Sequence, residues 1–284
     1  MSADQSSKSD SSGECVVCGK KCLTRCSACS SHGLDWMFFC SKEHQKLIWS
    51  VHKRFCGVNS SPLHWPLISD SEADEAREVL KELRREQSGS TTRAKELEGL
   101  GFVEAPGRAP ASLESILPHI LESSESGITI TRQSRSGYVA AFRRGIWRIE
   151  RKLAASRFWN REQSTKWMFR AMARDPLSAV VQQHANIEAA LLSAAAVDSP
   201  SSTLRDTLTH KILILFTIVS RAFEIVSDLP SALLPVALFP PSLIPFVRYT
   251  QQEVIRYCDK IFDGIPPELA LPVRQDLQIV PPHF

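Results

Sequence analysis

Seven of the chain's eight cysteines fall between positions 15 and 56, and they are spaced as ligands rather than scattered. In order the chain reads Cys15-x2-Cys18, Cys26-x2-Cys29, Cys40-x3-His44 and His52-x3-Cys56, four pairs carrying six sulfurs and two imidazoles. A Cys-x2-Cys pair in a tight turn lets two thiolates meet one ion at a Zn–S distance near 2.3 Å. An i,i+4 pair on a helix places two side chains on one face, a turn apart. Ser41 suits a helix start just after Cys40, and Gly57 suits a stop just after Cys56. The series therefore predicts two four-coordinate sites, and thiolate with imidazole selects zinc over oxygen-seeking calcium or magnesium. Sites closed by four protein ligands leave no position for water and are structural rather than catalytic. A segment this short buries too little apolar surface to fold alone. The metal then supplies the folding free energy, about 10–16 kcal/mol apparent per structural zinc. Spacing leaves the pairing open: the first pair can join the second or the third.

The residues around the pairs narrow this. Phe39, Cys40, Ser41, Gln45, Trp49, His52, Lys53 and Cys56 follow the two Cys-x2-Cys pairs in a run that resembles the MYND-type zinc finger. One ligand departs from that pattern: the sixth, ordinarily cysteine, is His44 here, which is chemically competent for zinc and makes the site one unit less negative. The resemblance implies interleaved sites, with Cys15, Cys18, Cys40 and His44 on one ion and Cys26, Cys29, His52 and Cys56 on the other. It also implies that the finger binds a short proline-rich peptide, often of PxLxP type, in a groove to which Gln45 and Trp49 correspond. Cys22 lies between pairs and reads as a spare thiol, and Cys258 as a buried small hydrophobe. His32 has no place in the pattern, and His64, His119, His184, His210 and His283 are isolated and read as ordinary.

Clustered cysteines mean metal only where thiols stay reduced. The opening residues, MSADQSSKSDSSGE, are serine-rich and polar, without the apolar stretch of a secretory signal. Residues 1–14 read as a disordered tail, and the chain as intracellular, in nucleus or cytoplasm. Nor is a membrane expected. Ile212–Val219 is apolar but bracketed by Lys211 and Arg221, and the uncharged stretch from Leu229 to Val247 is broken by five prolines.

Beyond the cysteines the chain has room for one further domain, since its 284 residues suit about two. Hydrophobic residues at 43% and charged residues at 23% exclude a wholly disordered or fibrous chain. Residues 57–70 read as a linker packing a little through Leu63, Trp65 and Leu67, and 71–284 as a mainly α-helical region. Ser71 caps a segment to about Gln87 whose first turn is acidic and last turn basic. Further helices are expected over Tyr138–Arg174, Leu177 to about Ala196 and Leu204 to about Val226. Gly127–Thr131 is one candidate strand, and the chain from Leu229 onward is punctuated by proline.

Net charge is only +3, but Arg132–Arg174 holds twelve Lys/Arg against two Asp/Glu, interleaved with seven aromatics including Tyr138, Phe142 and Trp147. Basic side chains with stacking aromatics are a nucleic-acid footprint. The competing account is a solvated basic face over an apolar stripe of Phe142, Ile146, Ile149 and Leu153 at helical spacing. The segment Pro241-Ser-Leu-Ile-Pro245 fits PxLxP within the same chain, and sets self-recognition by the finger against a packed proline loop. Gly99-Leu-Gly101 is no phosphate loop, and no nucleophile-elbow, H-E-x-x-H or P-loop pattern occurs. Some proteins with such fingers are SET-domain methyltransferases, but no SET-type motif follows here. The reading is a zinc-binding protein–protein interaction module with a helical scaffold and no catalytic residues. A nucleic-acid-associated regulator is the alternative, and an unrecognised enzyme the third.

Overall fold

The computed structural model describes residues 12–89, 99–103, 111–123, 132–157, 176–194, 201–226 and 240–277. Its cysteine-rich end has little regular structure. Strands β1 (Gly13–Glu14) and β2 (Lys21–Cys22) pair antiparallel, one short helix α1 (Ser27–Ser30) follows, and α2 (Lys42–His52) is the one long element. Residues 37–39 stitch these turns together. Val16 N–H donates to Phe38 O at 3.0 Å, Cys26 N–H to Met37 O at 2.9 Å, and Phe39 N–H to Thr24 O at 2.8 Å. The chain leading to Cys40 thus crosses behind both Cys-x2-Cys turns.

Ser41 caps α2 as its sequence predicts, its hydroxyl accepting from His44 N–H at 3.3 Å. The helix ends at His52, earlier than Gly57 suggested. Only the histidine of each i,i+4 pair therefore lies in the helix. Cys40 precedes the cap and Cys56 follows the last turn, so the helix presents imidazoles and the flanking chain presents thiols.

The next helix, α3 (Asp70–Gly89), starts one residue before the expected Ser71 cap. Ser69 and Glu72 form a reciprocal capping box: Glu72 N–H donates to Ser69 Oγ at 3.3 Å, and Ser69 N–H to Glu72 Oε2 at 3.1 Å. A small antiparallel pair, β3 (Phe102–Val103) with β4 (Ala111–Ser112), leads into α4 (Leu113–Ile120) and α5 (Arg132–Arg157). Gly145 lets α4 and α5 approach closely, since a Cβ there would come within 2.8 Å of Leu113 Cδ2. Then come α6 (Pro176–Ser193) and α7 (Ser202–Val226). Every position from Thr207 to Ser220 of α7 is buried, its polar residues Thr207, Thr209, His210, Lys211, Thr217 and Ser220 included, so the helix is enclosed on all sides. It is the axis of the body, with α2, α6 and α8 (Ile244–Ile261) packed around it.

The proline-punctuated tail hides two helices that periodicity did not announce, α8 and α9 (Pro267–Leu277). Pro245 and Pro267 sit in first turns, where a missing N–H costs nothing. The region after residue 70 is mainly helical in its described parts, as expected. The candidate strand at 127–131 and the expected helical residues 158–174 lie outside the described residues. Among the described residues no helix is long and apolar enough to cross a membrane.

Candidate metal centres and the seam around them

The eight ligand residues gather into two clusters, Cys15, Cys18, Cys40 and His44 (site 1) and Cys26, Cys29, His52 and Cys56 (site 2). The first pair joins the third and the second joins the fourth, the interleaved arrangement. Within each cluster the donor atoms all lie within 4.8 Å of one another.

Tetrahedral geometry tests the fit. Zn–S near 2.3 Å and Zn–N near 2.0–2.1 Å imply S···S edges of about 3.8 Å and S···N edges of about 3.6 Å. In site 1, Cys18 Sγ and Cys40 Sγ are 3.6 Å apart, while His44 Nδ1 is 3.5 Å from Cys15 Sγ and 3.2 Å from Cys40 Sγ. In site 2, Cys56 Sγ is 3.5 Å from Cys26 Sγ and 3.7 Å from Cys29 Sγ, and Cys29 Sγ is 3.6 Å from His52 Nε2. These are the edges of donor sets closing on one small ion. His44 faces its thiols with Nδ1 and His52 with Nε2, so the two imidazoles enter from opposite ends of the ring.

The thiols themselves call for a cation. A hydrogen bond from Cys29 pulls the Cys26 thiol down to about 3, helped by His52. The same bond pushes the Cys29 thiol up. Burial, with Cys26 close by, also pushes Cys56 up. In site 1, burial and neighbouring thiols push Cys40 up to about 12. Burial also works against ionising Cys15, but backbone N–H groups of Cys40, Val17 and Cys18 outweigh it and bring that thiol below its ordinary value. Three sulfurs this close cannot all become thiolates without a divalent ion to hold them. Burial keeps His44 below the usual histidine range and therefore neutral, the ligand form. The donor set fits two zinc ions, closed by protein ligands, whose chemistry is structural.

Cys22 belongs to neither cluster, and burial with nearby Cys15 and Cys18 raises its thiol. His32 instead contacts the Ala28 carbonyl at 2.9 Å. Cys258 is fully buried, its thiol pushed up to about 12 by burial, and it packs as a small apolar group. Gln45 and Trp49 stand one turn apart on α2, Gln45 half-buried and Trp49 43% exposed. The Trp49 ring lies 5.9 Å from that of His52, so site 2 sits beneath it.

The finger does not end at Cys56. Its apolar residues, among them Met37, Ile48 and Phe55, belong to one buried cluster with those of the helices. Residues 57–70 run through the seam. The Phe55 ring meets Trp65 at 5.7 Å and His210 of α7 at 6.2 Å. His210 is buried and its Nε2–H donates to Ser60 O at 2.9 Å, the tautomer that a carbonyl acceptor requires. Burial brings its pKa down to about 4 and keeps it neutral. Leu63 N–H donates to Asp206, and Trp65 N–H to Ser136 of α5.

Glu72 ties the same seam by charge. Its carboxylate takes Arg54 from the finger at 2.9 Å and Arg143 of α5 at 2.9 Å. Arg143, 2% exposed, also donates to Pro66 O and Leu67 O. Burial works against ionised Glu72, but Arg143 and Arg54 outweigh it and hold the carboxyl at about 2. Sequence reading took His210 as ordinary, Lys211 as the edge of an apolar run and Arg143 as one of many basic residues. His210 and Lys211 carried a signal, polar residues at the head of an apolar helical stretch, whereas Arg143 next to Arg144 carried none.

The basic segment divides accordingly. Phe142 and Trp147 are core residues, as is Arg143, while Arg148, Arg151 and Lys152 are solvated. Phe158, Trp159, Trp167 and Phe169 lie outside the described residues. The PxLxP segment forms the turn entering α8, with Leu243 buried and Pro241 and Pro245 exposed.

Among known families, residues 15–56 match the MYND finger. No curated protein and no solved structure matches the chain.

Proposed function

We propose that this chain, whose residues 15–56 are a MYND finger, is an interaction adaptor that uses Gln45 and Trp49 to take a proline-rich segment of a partner protein. A MYND finger is a zinc-binding protein-interaction module and not a catalytic one. Trp49 carries the finer reading: it is a large aromatic left 43% exposed on a helix pinned by metal ligands. Such a side chain offers contact area to a partner at little entropic cost, because the helix beneath it is already ordered. An extended proline-rich peptide suits it, since that conformer is preformed and docks against aromatic faces. Six thiolate ligands are kept available in a reducing compartment, which supports a nuclear or cytoplasmic location as part of this reading. The helical body serves as the scaffold that holds the finger.

The test is fluorescence anisotropy with a labelled PxLxP peptide and the full zinc-loaded chain. Trp49→Ala should weaken binding at least thirtyfold, the scale of a hot-spot aromatic at about 2 kcal/mol or more, with zinc content unchanged. Equal affinity of wild type and Trp49→Ala removes the groove from the reading. A loss common to Trp49→Ala and exposed-face variants such as Arg151→Ala moves binding to the basic helix.

A further inference from the structure

We infer that metal site 1 does not end at the finger: helix α8 supplies its outer layer, with Phe246 and Tyr249 as positioning residues, so that zinc at site 1 and docking of α8 reinforce each other. The helix has two working faces. Val247, Val254, Cys258 and Ile261 are buried in the core of the body. Phe246, Tyr249, Glu253 and Tyr257, at three- and four-residue spacing, lie on a second stripe.

That second stripe meets the finger at site 1. Phe246 stands edge-on to the His44 imidazole, with ring centroids 4.8 Å apart at 74°. The His44 ring is thus bounded by Cys15 and Cys40 at Nδ1 and by Phe246 at its side. Tyr249 lies against the turn that carries Cys15 and Cys18. Gly19, at φ 75°, closes that turn with its N–H on Cys15 O at 2.8 Å. A Cβ on Gly19 would stand 2.5 Å from Tyr249 Cε2, so the close approach needs a glycine. The Tyr249 hydroxyl reaches Glu14 at 3.4 Å. Further along, Glu253 holds Lys211 at 2.8 Å beneath Trp36 of the finger, with the ammonium 4.6 Å from that ring and 4.5 Å from Tyr257. An open cleft of about 780 Å³ separates the finger from α8 beside these contacts. The helix is therefore held to the finger at a few points.

Site 2 has no such outer layer from α8. Its His52 ring meets Phe39 and Trp49, both finger residues. Cys26, Cys29 and His52 are buried, whereas three of the four ligands of site 1 are half-exposed. Site 1 is therefore the weaker site, and the one whose strength depends on a distant helix. Outer-layer residues of metal sites typically contribute about 10–100-fold in affinity. Linkage makes the effect mutual: what α8 adds to zinc affinity, zinc adds to α8 docking.

The experiment titrates the full two-zinc chain with a colorimetric chelator, counts bound zinc by native mass spectrometry and follows amide hydrogen exchange. In the wild type the first zinc should leave from site 1, and residues 246–257 should lose protection at that point while α7 keeps its own. Phe246→Ala and Tyr249→Ala should each release the first zinc at about tenfold lower chelator, with the second zinc unchanged. Phe246→Leu, which keeps apolar bulk and removes the ring, should shift release in the same direction by a smaller factor. Ile149→Ala, in the core of α5 and away from α8, should leave zinc release at the wild-type midpoint. Equal loosening by Ile149→Ala and Phe246→Ala would overturn the inference, since general instability would then explain both. So would α8 keeping its protection after the first zinc has gone, or site 2 opening first.

Discussion

The finger and the helical body fill their interiors by different means. In the body, α7 is buried along its whole middle and neighbouring helices cover it with aliphatic and aromatic volume. Many substitutions of similar size would preserve that core. In the finger, strands of two residues and a four-residue helix are held by eight ligand side chains whose chemical identity cannot be exchanged for bulk. The lesson lies where they meet. Phe55, Trp65 and His210 form one aromatic cluster across the seam, and Glu72 joins an arginine from each side. A metal-built part and a volume-built part thus share one interior, and neither is closed without the other.

Removing the metal should break this comparison most forcefully. Chelation withdraws about 10–16 kcal/mol apparent per zinc, so NMR signals of residues 15–56 should collapse. Because the core is continuous, the thermal midpoint of the helical circular dichroism should fall as well. An unchanged midpoint would show two independent units. Cys29→Ala should reproduce the loss of the finger.

Next in size is the ion cluster at the seam. Arg143→Ala leaves Glu72 facing burial with one partner fewer, and should cost about 3–5 kcal/mol in urea unfolding of the zinc-loaded chain. The paired change Glu72→Gln with Arg143→Met should cost clearly less than Arg143→Ala alone. If it costs more, the cluster stabilises the seam by its charges and not merely by mutual neutralisation.

Acid should sharpen the comparison at His210. Its folded pKa, about 4, lies below the ordinary histidine value, so the unfolded chain takes up the proton first. The contribution of neutral His210 is whole above about pH 6.5 and declines as pH falls toward 4, by about 1.4 kcal/mol per unit and about 3 kcal/mol in all. The measurement is the stability difference between wild type and His210→Gln with zinc in excess. The difference should move against the wild type between pH 7 and 5.5, and a flat profile would mean His210 is not held neutral.

The smallest effects test ligand identity. His44→Cys should keep two zincs per chain, because thiolate and imidazole occupy similar corners of a tetrahedron. Cys22→Ala should leave zinc content unchanged, since Cys22 stands outside both clusters. Loss of metal in Cys22→Ala would reassign the ligands.

The site was more legible than the body. Ligand spacing is local, so the eight donors of the two sites could be picked out from residues 15–56 alone. The α5 stripe of Phe142, Ile146, Ile149 and Leu153 was visible for the same reason, because one helical period suffices. The helices α8 and α9 were hidden by prolines that mark breaks in general, although Pro245 and Pro267 fit first turns and Pro272 is carried inside α9. Ser71 was read as a cap from local chemistry, while the box that formed uses Ser69, selected because Glu72 is held by Arg54 and Arg143.

By itself the sequence determined which atoms can bind metal, because donor type and short-range spacing are properties of the chain. Only the tertiary structure decided which polar residues became internal. Arg143, His210 and Lys211 look like solvated side chains until distant partners, Glu72, the Ser60 carbonyl and Glu253, come within hydrogen-bond reach. Burial of a polar group is favourable only when its partner is in place, and those partners are 42 to 150 residues away along the chain.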